Sequence, residues 1–247
     1  MSKERRANVK AGRARSSVPK PAPVEVPVRS SVAGVDDRAK RRKILDAALK
    51  TFSAHGFNGG SIANIARLHG VSPALVHYYF PNKDELWRAA LDHGIGAVIR
   101  DLTDRLNDLA DFDSVSRLKF FIRRYIALAS ERPEVFEVIT REGESPGPRL
   151  TWLTRHHLNP LYGLWTNLVE AAQADGRIKA TMPPYHLSQI IAGASYQFMA
   201  SRVRMLEVYG IDVTTRELRE RHTNAVVDVL FNGMLTSPAV PGELAKT

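Results

Sequence analysis

The chain has 247 residues, of which 44% are apolar, so it is long enough to bury the core of one or two domains. It contains no cysteine, which excludes disulfide bonds and thiolate metal sites, and no apolar run approaches the roughly 20 residues that cross a bilayer. The basic N-terminus is not followed by an apolar segment, which excludes a secretory signal. We therefore expect a cytoplasmic protein with no membrane partner.

The net charge of +9 is concentrated at the N-terminus. Residues 1–43 hold 13 Lys and Arg against 4 Asp and Glu, whereas residues 44–247 hold 22 of each. Within residues 1–35, many prolines and few large apolar side chains predict a disordered basic arm. Such an arm either aids solubility or adds affinity for nucleic-acid phosphates, and the sequence leaves both alternatives open.

The first predicted helix runs from Asp36 to His55. Asp36 or Asp37 can cap its start, and Gly56 ends it. Its apolar side chains recur at helical spacing and form a broad stripe, made by Ile44, Leu45, Ala48, Leu49 and Phe52. Basic residues crowd its first turns, so this end suits a position near phosphate.

Two short helices follow within residues 61–80, SIANIARLHGVSPALVHYYF. In the first, Ser61 supplies the N-cap and Gly70 a left-handed end. In the second, Ser72 is the predicted N-cap and Pro73 takes the first position, where no N–H is needed. Both helices need a third helix behind them, because helices this short are unstable alone. This layout is that of a DNA-binding helix-turn-helix.

One spacing makes the resemblance to a known family specific. Gly70-Val71-Ser72 is followed after six residues by Tyr79-Phe80, and then after two more residues by Lys83. Together with the preceding helix that ends in His-Gly-Phe, this makes residues 40–86 resemble the DNA-binding domain of the tetracycline-repressor (TetR) family. The resemblance implies a DNA-binding domain at 36–86. It also implies DNA contacts from a set of polar and small residues, namely Arg41, Ser61, Ser72, Pro73, Ala74, His77, Tyr78 and Lys83.

One position departs from the family pattern. The family has Leu-Tyr where this chain has Val76-His77, so the aromatic contact to phosphate passes to Tyr78 or to His77. The methyl group of Ala74 suits a thymine methyl, while His77 can donate to a guanine acceptor or a phosphate. Lys83 is expected to pair with phosphate as a point charge.

Helical periodicity continues through the rest of the chain, and no segment alternates as a strand does. We therefore expect an all-α fold of about nine helices. Beyond the helix-turn-helix, helices are predicted at 82–109, at 115–130, from Pro133, at 149–175 with a kink at Pro160, from Pro183 or Pro184 to Gly210, and after a capping box of Thr214 and Glu217. A loop is predicted at 142–148. Gly94 and Gly96 in the helix at 82–109 form a hinge or permit close packing, and both alternatives stay open.

The resemblance further implies a ligand-binding and dimerisation domain at 87–237, before a loose tail at 238–247. In the family the last two long helices pair with their twins, which predicts a homodimer here. An unknown small-molecule effector is expected in this domain. The candidate ligand contacts are Trp152, His156, Tyr162, Trp165, Tyr196, Gln197 and Arg202. If Arg202 or Arg204 points inward, the ligand is expected to be anionic or to bear a carbonyl group.

The function expected is a sequence-specific, nucleoid-associated transcriptional regulator that binds double-stranded DNA without a cofactor. It is expected to be a repressor that a small molecule releases from a palindromic operator. The alternatives are a ligand-activated regulator and an architectural protein that binds DNA without sequence preference. An enzyme is not expected, because the chain shows no glycine-rich phosphate loop and no histidines at metal-ligand spacing.

Overall fold

The computed structural model describes residues 29–233, with side chains from residue 36 onward. The chain divides into two units, 1–38 and 39–247, and the packing described below is that of residues 39–233. The described residues contain no strand, so the expected all-α class is confirmed. They form ten helices: α1 Arg29–Gly59, α2 Ile62–His69, α3 Pro73–Tyr79, α4 Lys83–Asn107, α5 Ser114–Glu131, α6 Pro133–Gly143, α7 at 148–174, α8 Pro184–Ala200, α9 Arg202–Tyr209 and α10 Arg216–Asn232.

Helix α1 begins seven residues earlier than the sequence predicts. Because it begins at Arg29, Asp36 and Asp37 lie inside the helix, and the prediction that one of them caps it is wrong. The last proline of the basic segment is Pro27, and Gly34, which stands between it and Asp36, weakens a helix without ending it. The remainder of the predicted arm, residues 1–28, lies outside the described residues, as does the predicted tail. Gly56, at φ +68°, breaks the helix where its end was predicted.

The helix-turn-helix packs on α1 as the apolar stripe requires. Ile44 and Phe52 of α1 are completely buried, and so are Ile65 of α2 and Val76 of α3. Phe80, which follows α3, is buried as well. The two short helices, which would not persist alone, therefore share one core with α1.

Helix α4 connects this core to the rest of the molecule. Asn82 caps it, since its side chain accepts from Glu85 N at 2.9 Å and donates to the Glu85 carboxylate at 2.9 Å. Gly94 is buried against α1 and α6, and a Cβ at this position would come within 2.7 Å of Leu49. Helical backbone continues through both glycines, so close packing explains Gly94.

Helix α7 is helical throughout but changes its pitch before Pro160. It consists of an α-helical segment Pro148–Leu153, a π-helical turn Thr154–Leu158 and an α-helical segment Asn159–Ala174. The proline has no N–H and its ring crowds the preceding turn, which a wider π-turn relieves. The predicted kink thus takes the form of a π-turn. The predicted loop at 142–148 is shorter than expected, because its two ends belong to α6 and α7.

Two details of the C-terminal helices differ from the prediction. The helix expected from Pro184 to Gly210 is broken at Ser201 into α8 and α9. The N-cap of α10 is Thr215, whose hydroxyl accepts from Leu218 N, rather than Thr214. The Thr214 hydroxyl is bonded instead to Asp212 at 2.6 Å, which explains the shift by one residue. None of the helices in the described part of the chain is long and apolar enough to cross a membrane.

Helices α5, α7, α8 and α10 pack together as the larger part of the molecule. Aromatic rings fill its centre: Trp165 of α7 lies 4.5 Å from Phe121 and 5.0 Å from Tyr125, both on α5. Phe136 of α6 packs on the other side of Tyr125 at 5.1 Å. Burial raises the pKa of the Tyr125 hydroxyl, so this ring is neutral in the folded protein.

Candidate nucleic-acid interface and ligand site

The turn between α2 and α3 has the geometry that its sequence predicts. The Ser61 hydroxyl accepts from Asn64 N at 3.0 Å and caps α2. Gly70 ends α2 in the left-handed conformation, at φ +62°. Val71 N then donates to Ala66 O at 3.0 Å, which closes the turn before α3 begins at Pro73.

Helix α3 presents its polar side to solvent. All predicted DNA contacts in this helix and at its N-cap are exposed, namely Ser72, Pro73, Ala74, His77 and Tyr78. The Tyr78 side chain has 78% of its surface exposed. Ser72 occupies the predicted N-cap position of α3, but its hydroxyl accepts no hydrogen bond from the backbone N–H groups of that helix. Its hydroxyl stays available to a partner at the surface.

The two predicted basic contacts, Arg41 and Lys83, lie against aromatic rings of the same core. The Arg41 guanidinium is 5.4 Å from the centre of the Phe80 ring, and Lys83 Nζ is 4.3 Å from that of Phe57. Arg149 of α7 contacts the Phe57 ring too, at 4.5 Å. Arg41 thus lies beside Phe80, the residue that follows α3, and Lys83 beside Phe57, the residue that follows the break in α1.

Polar contacts tie this DNA-binding core to the larger part of the molecule. Arg141 at the end of α6 donates to the Ser53 and Ala54 carbonyl oxygens of α1, at 3.2 and 3.3 Å. His93 Nε2 of α4 lies 2.8 Å from the Asp46 carboxylate of α1. Both α4 and α6 are therefore hydrogen-bonded to α1.

A second histidine contact joins α4 to the π-turn. The His157 ring is almost completely buried, and its Nε2 lies 2.9 Å from the exposed Asp92 carboxylate. Burial lowers the pKa of His157, and the negative charge of Asp92 opposes that shift only in part.

The structure separates most of the predicted ligand contacts from one another. The Trp152 and His156 rings stack at 4.6 Å beside Trp87, whereas Trp165 is enclosed in the aromatic centre described above. Tyr162 is 39% exposed on α7. Gln197 donates to the Ser201 hydroxyl at 3.1 Å on the surface of α8. These residues do not share one site.

Two of the predicted ligand contacts, Tyr196 and Arg202, do line one cavity, of about 460 Å³, at the junction of α1, α6, α8 and α9. Burial raises the pKa of the Tyr196 hydroxyl, which bonds to Thr140. Arg204 points elsewhere and donates to the Ser201 hydroxyl at 2.8 Å. Three further charged residues line this cavity and were not predicted: Glu137 and Arg141 of α6, and Glu144 directly after it. Their one-turn spacing was the signal that could have found them.

A second cavity, of about 310 Å³, lies where the end of α1 meets the turn between α6 and α7. It contains Ser145 at the centre of Gly-Glu-Ser-Pro-Gly, which has the spacing of a hydrolase nucleophile elbow. That motif needs a turn from a strand to a helix, whereas this one joins two helices. His55 lines the same cavity, but within residues 36–233 no hydrogen bond joins a histidine to Ser145.

An exposed recognition helix on a three-helix core, followed by a larger helical domain, defines a helix-turn-helix DNA-binding protein. Comparison with known proteins agrees with this class. Residues 44–90 match the family model described as bacterial regulatory proteins, tetR family, and residues 146–239 match that of the tetracyclin repressor-like C-terminal domain.

Full-length relatives give the same result. The HTH-type transcriptional regulator RutR of Escherichia coli K12 is 30% identical over 194 residues, which cover 78% of this chain and 84% of RutR. The HTH-type transcriptional repressor NicS of Pseudomonas putida is 27% identical over 198 residues, covering 78% of this chain and 92% of NicS. The chain belongs to the tetR family of bacterial regulatory proteins, and it is a DNA-binding transcriptional regulator.

A solved structure shares the fold at lower identity. The Bacillus subtilis transcriptional regulator FadR, in complex with stearoyl-CoA, superposes with a TM-score of 0.61 and 18% identity. The match covers 78% of this chain and 99% of that one. The arrangement of the larger domain is therefore that of a known regulator fold.

Proposed function

We propose that this protein is a repressor that binds a palindromic operator as a homodimer and leaves it when a small-molecule effector binds. The observation that carries the proposal is the exposed polar side of α3, held by a fully packed core. The name of the relative NicS, a transcriptional repressor, supports the sign of regulation. The site of action is chromosomal DNA in the cytoplasm.

The contacts to DNA divide into base contacts and phosphate contacts. Ala74 and His77 lie on the exposed side of α3 and meet base edges in the major groove. Tyr78, Lys83 and Arg41 meet phosphates and fix the position of the helix on the duplex. Pro73 borders the bases, and the free hydroxyl of Ser72 joins Ser61 in binding the backbone. Sequence preference thus resides in α3, and the basic residues supply affinity.

The homodimer rests on α8 and α10. Both helices leave apolar side chains exposed, with Ile190 at 44% and Val229 at 43%. Gly193 lies on the exposed side of α8, and a Cβ there would meet no other atom within 4 Å, so another helix can approach closely. Two-fold pairing of these helices places two copies of α3 in successive major grooves, about 34–36 Å apart.

The effector proposal draws on the larger domain and on the neighbouring structure. Regulator FadR of the same fold was crystallised with stearoyl-CoA, so this fold accepts small molecules. In the present chain α4 and α6 both contact α1, which gives a bound ligand a route to the recognition helix. A ligand that favours one arrangement of these helices over the other changes DNA affinity by linkage.

The proposal is tested by selecting bound duplexes from a random DNA pool at physiological salt, with the full chain and with the double variant Ala74→Gly/His77→Ala. We expect the wild-type chain to enrich a palindrome and the variant to enrich a different or weaker consensus. Because both side chains are exposed, the variant should lose no more than the roughly 1 kcal/mol by which glycine is a poorer helix former than alanine. The absence of an enriched sequence for the wild-type chain contradicts the proposal.

A further inference from the structure

The cavity of about 460 Å³ is built from both functional parts of the protein. Ser53 and Ala54 near the end of α1 line it, together with Tyr196 of α8 and Val203 of α9. Val203 is 66% exposed, and the Tyr196 ring stacks on Phe136 at 5.5 Å. The volume falls in the range of about 300–1,000 Å³ that small-molecule sites occupy.

Four charged side chains line this cavity, and their charges balance. The Glu137 carboxylate and the Arg202 guanidinium form an ion pair. Arg141 uses Nε and Nη2 for the α1 carbonyl oxygens, and a guanidinium has further N–H donors to offer. The Glu144 carboxylate is exposed and has no ion-pair partner within residues 36–233.

We propose that this cavity binds the effector and that the effector is a zwitterion, a small molecule with one amino group and one carboxylate. This inference rests on the proposed function, which it makes more specific. The carboxylate is bound by Arg202 and Arg141, and the amino group by Glu144. A ligand of a single charge would leave one of these charged groups uncompensated, whereas a zwitterion pairs with both signs. Tyr196 and Val203 contact the carbon chain between the two charges.

Binding of the zwitterion changes a contact that the DNA-binding core depends on. In the structure the Arg141 guanidinium donates to the Ser53 and Ala54 carbonyl oxygens. A ligand carboxylate competes with these oxygens for the guanidinium, because a charged acceptor binds it more strongly than a neutral one does. The bound and empty states therefore differ in how α6 holds α1, and such a difference is what linkage to DNA binding requires.

The test uses the full chain and a panel of defined probes at pH 7: the common L-α-amino acids, β-alanine, γ-aminobutyrate and ε-aminocaproate. Propionate and propylamine serve as probes that carry only one of the two charges. We expect at least one zwitterion to raise the unfolding midpoint and to show saturable binding in calorimetry, while neither single-charge probe does so. If no zwitterion binds, or if propionate or propylamine binds as tightly, the inference is wrong.

Two variants locate the site for the zwitterion that binds. Arg202→Gln and Glu144→Gln should each weaken its affinity at least about tenfold, since each removes a charged hydrogen-bond partner. Arg204→Gln is the matched control: it lies two residues from Arg202 on α9 but does not line the cavity, and it should keep wild-type affinity. An equal loss in the control, or no loss in either variant, contradicts this site.

The failure of this inference is distinguishable from the failure of the proposed function. Duplex selection with the unliganded chain tests operator binding alone. If a palindrome is enriched but no zwitterion binds the protein, only the assignment of the ligand is wrong. If a zwitterion binds but the affinity for that palindrome does not change, the zwitterion is a ligand but not the effector.

Discussion

Three histidines have a lowered pKa: His157 is buried, and His69 and His222 are partly buried. Burial is the main cause for His69, His157 and His222, and their partners only modify it. Between the ordinary value of 6.5 and the lower value in the folded protein, the unfolded chain binds more protons than the folded one. The stabilisation is complete above about pH 6.5 and is lost as the pH falls below it.

We expect the free energy of unfolding to decrease between pH 7.5 and pH 5.5, as measured by urea denaturation. The decrease should be smaller in His157→Gln, because this variant lacks one of the buried groups that bind a proton on unfolding. His186→Gln, at an exposed position on α8, is the matched control and should keep the wild-type pH dependence. A decrease of the same size in wild type and His157→Gln contradicts this account.

The two serines of the helix-turn-helix form a second residue-scale test. Ser61 makes a capping bond to Asn64 N, whereas Ser72 makes none. Ser61→Ala should therefore lower the free energy of unfolding by about 1 kcal/mol, and Ser72→Ala by clearly less. Urea denaturation of both variants measures the difference. Equal losses would show that the capping bond of Ser61 contributes nothing to stability.

At the scale of helices, α4 fixes the distance between the DNA-binding core and the rest of the molecule. Its two glycines have different surroundings, although they stand only two residues apart. A Cβ on Gly94 would meet Leu49 at 2.7 Å and Val135 at 3.3 Å, both of them packed in the core. A Cβ on Gly96 would meet only the flexible end of Arg100, at 3.2 Å.

Alanine substitutions should consequently have opposite effects at these two positions. Gly94→Ala is expected to destabilise the protein by about 1–3 kcal/mol, because α4 must move away from α1 and α6. Gly96→Ala is expected to stabilise it by about 0.5–1 kcal/mol through higher helix propensity. Thermal and urea unfolding of both variants measure the signs. A stabilising Gly94→Ala would mean that the packing is loose enough to accommodate the methyl group.

Helix boundaries were predictable where local residues set them. Ser61, Gly70 and Asn82 determine the helix-turn-helix and the start of α4 through caps that involve only near neighbours. The break at Ser201 was not predictable, because neither proline nor glycine stands there. Proline signalled a distortion of α7 at Pro160, but its form, a π-turn, depends on how the helix packs.

The candidate ligand residues were predictable only in part, because helical spacing does not tell which helices face one another. Tyr196 and Arg202 share a cavity since α8 breaks at Ser201 and α9 then passes α6. Trp165 has the same kind of spacing, but it is enclosed in the aromatic centre. Tertiary packing thus decides which polar and aromatic side chains line a cavity.

At the scale of the whole molecule, the proposed dimer makes a direct prediction. Val229→Arg should raise the dimer dissociation constant about 100-fold, because symmetry buries the new charge twice without a partner. Phe112→Arg, at an exposed position in the turn between α4 and α5, is the control and should leave dimerisation unchanged. Sedimentation equilibrium measures both constants. A dimer of unchanged strength in Val229→Arg would place the interface elsewhere.

The central claim is that this protein recognises a DNA sequence through α3. Fluorescence anisotropy at physiological salt compares its affinity for the selected palindrome with that for a scrambled duplex of equal length and composition. The account predicts a ratio of at least about 10³, and a clear reduction of this ratio in His77→Ala but not in the control His186→Ala. Equal affinity for both duplexes, falling with salt in the same way, would contradict it and indicate binding to DNA without sequence preference.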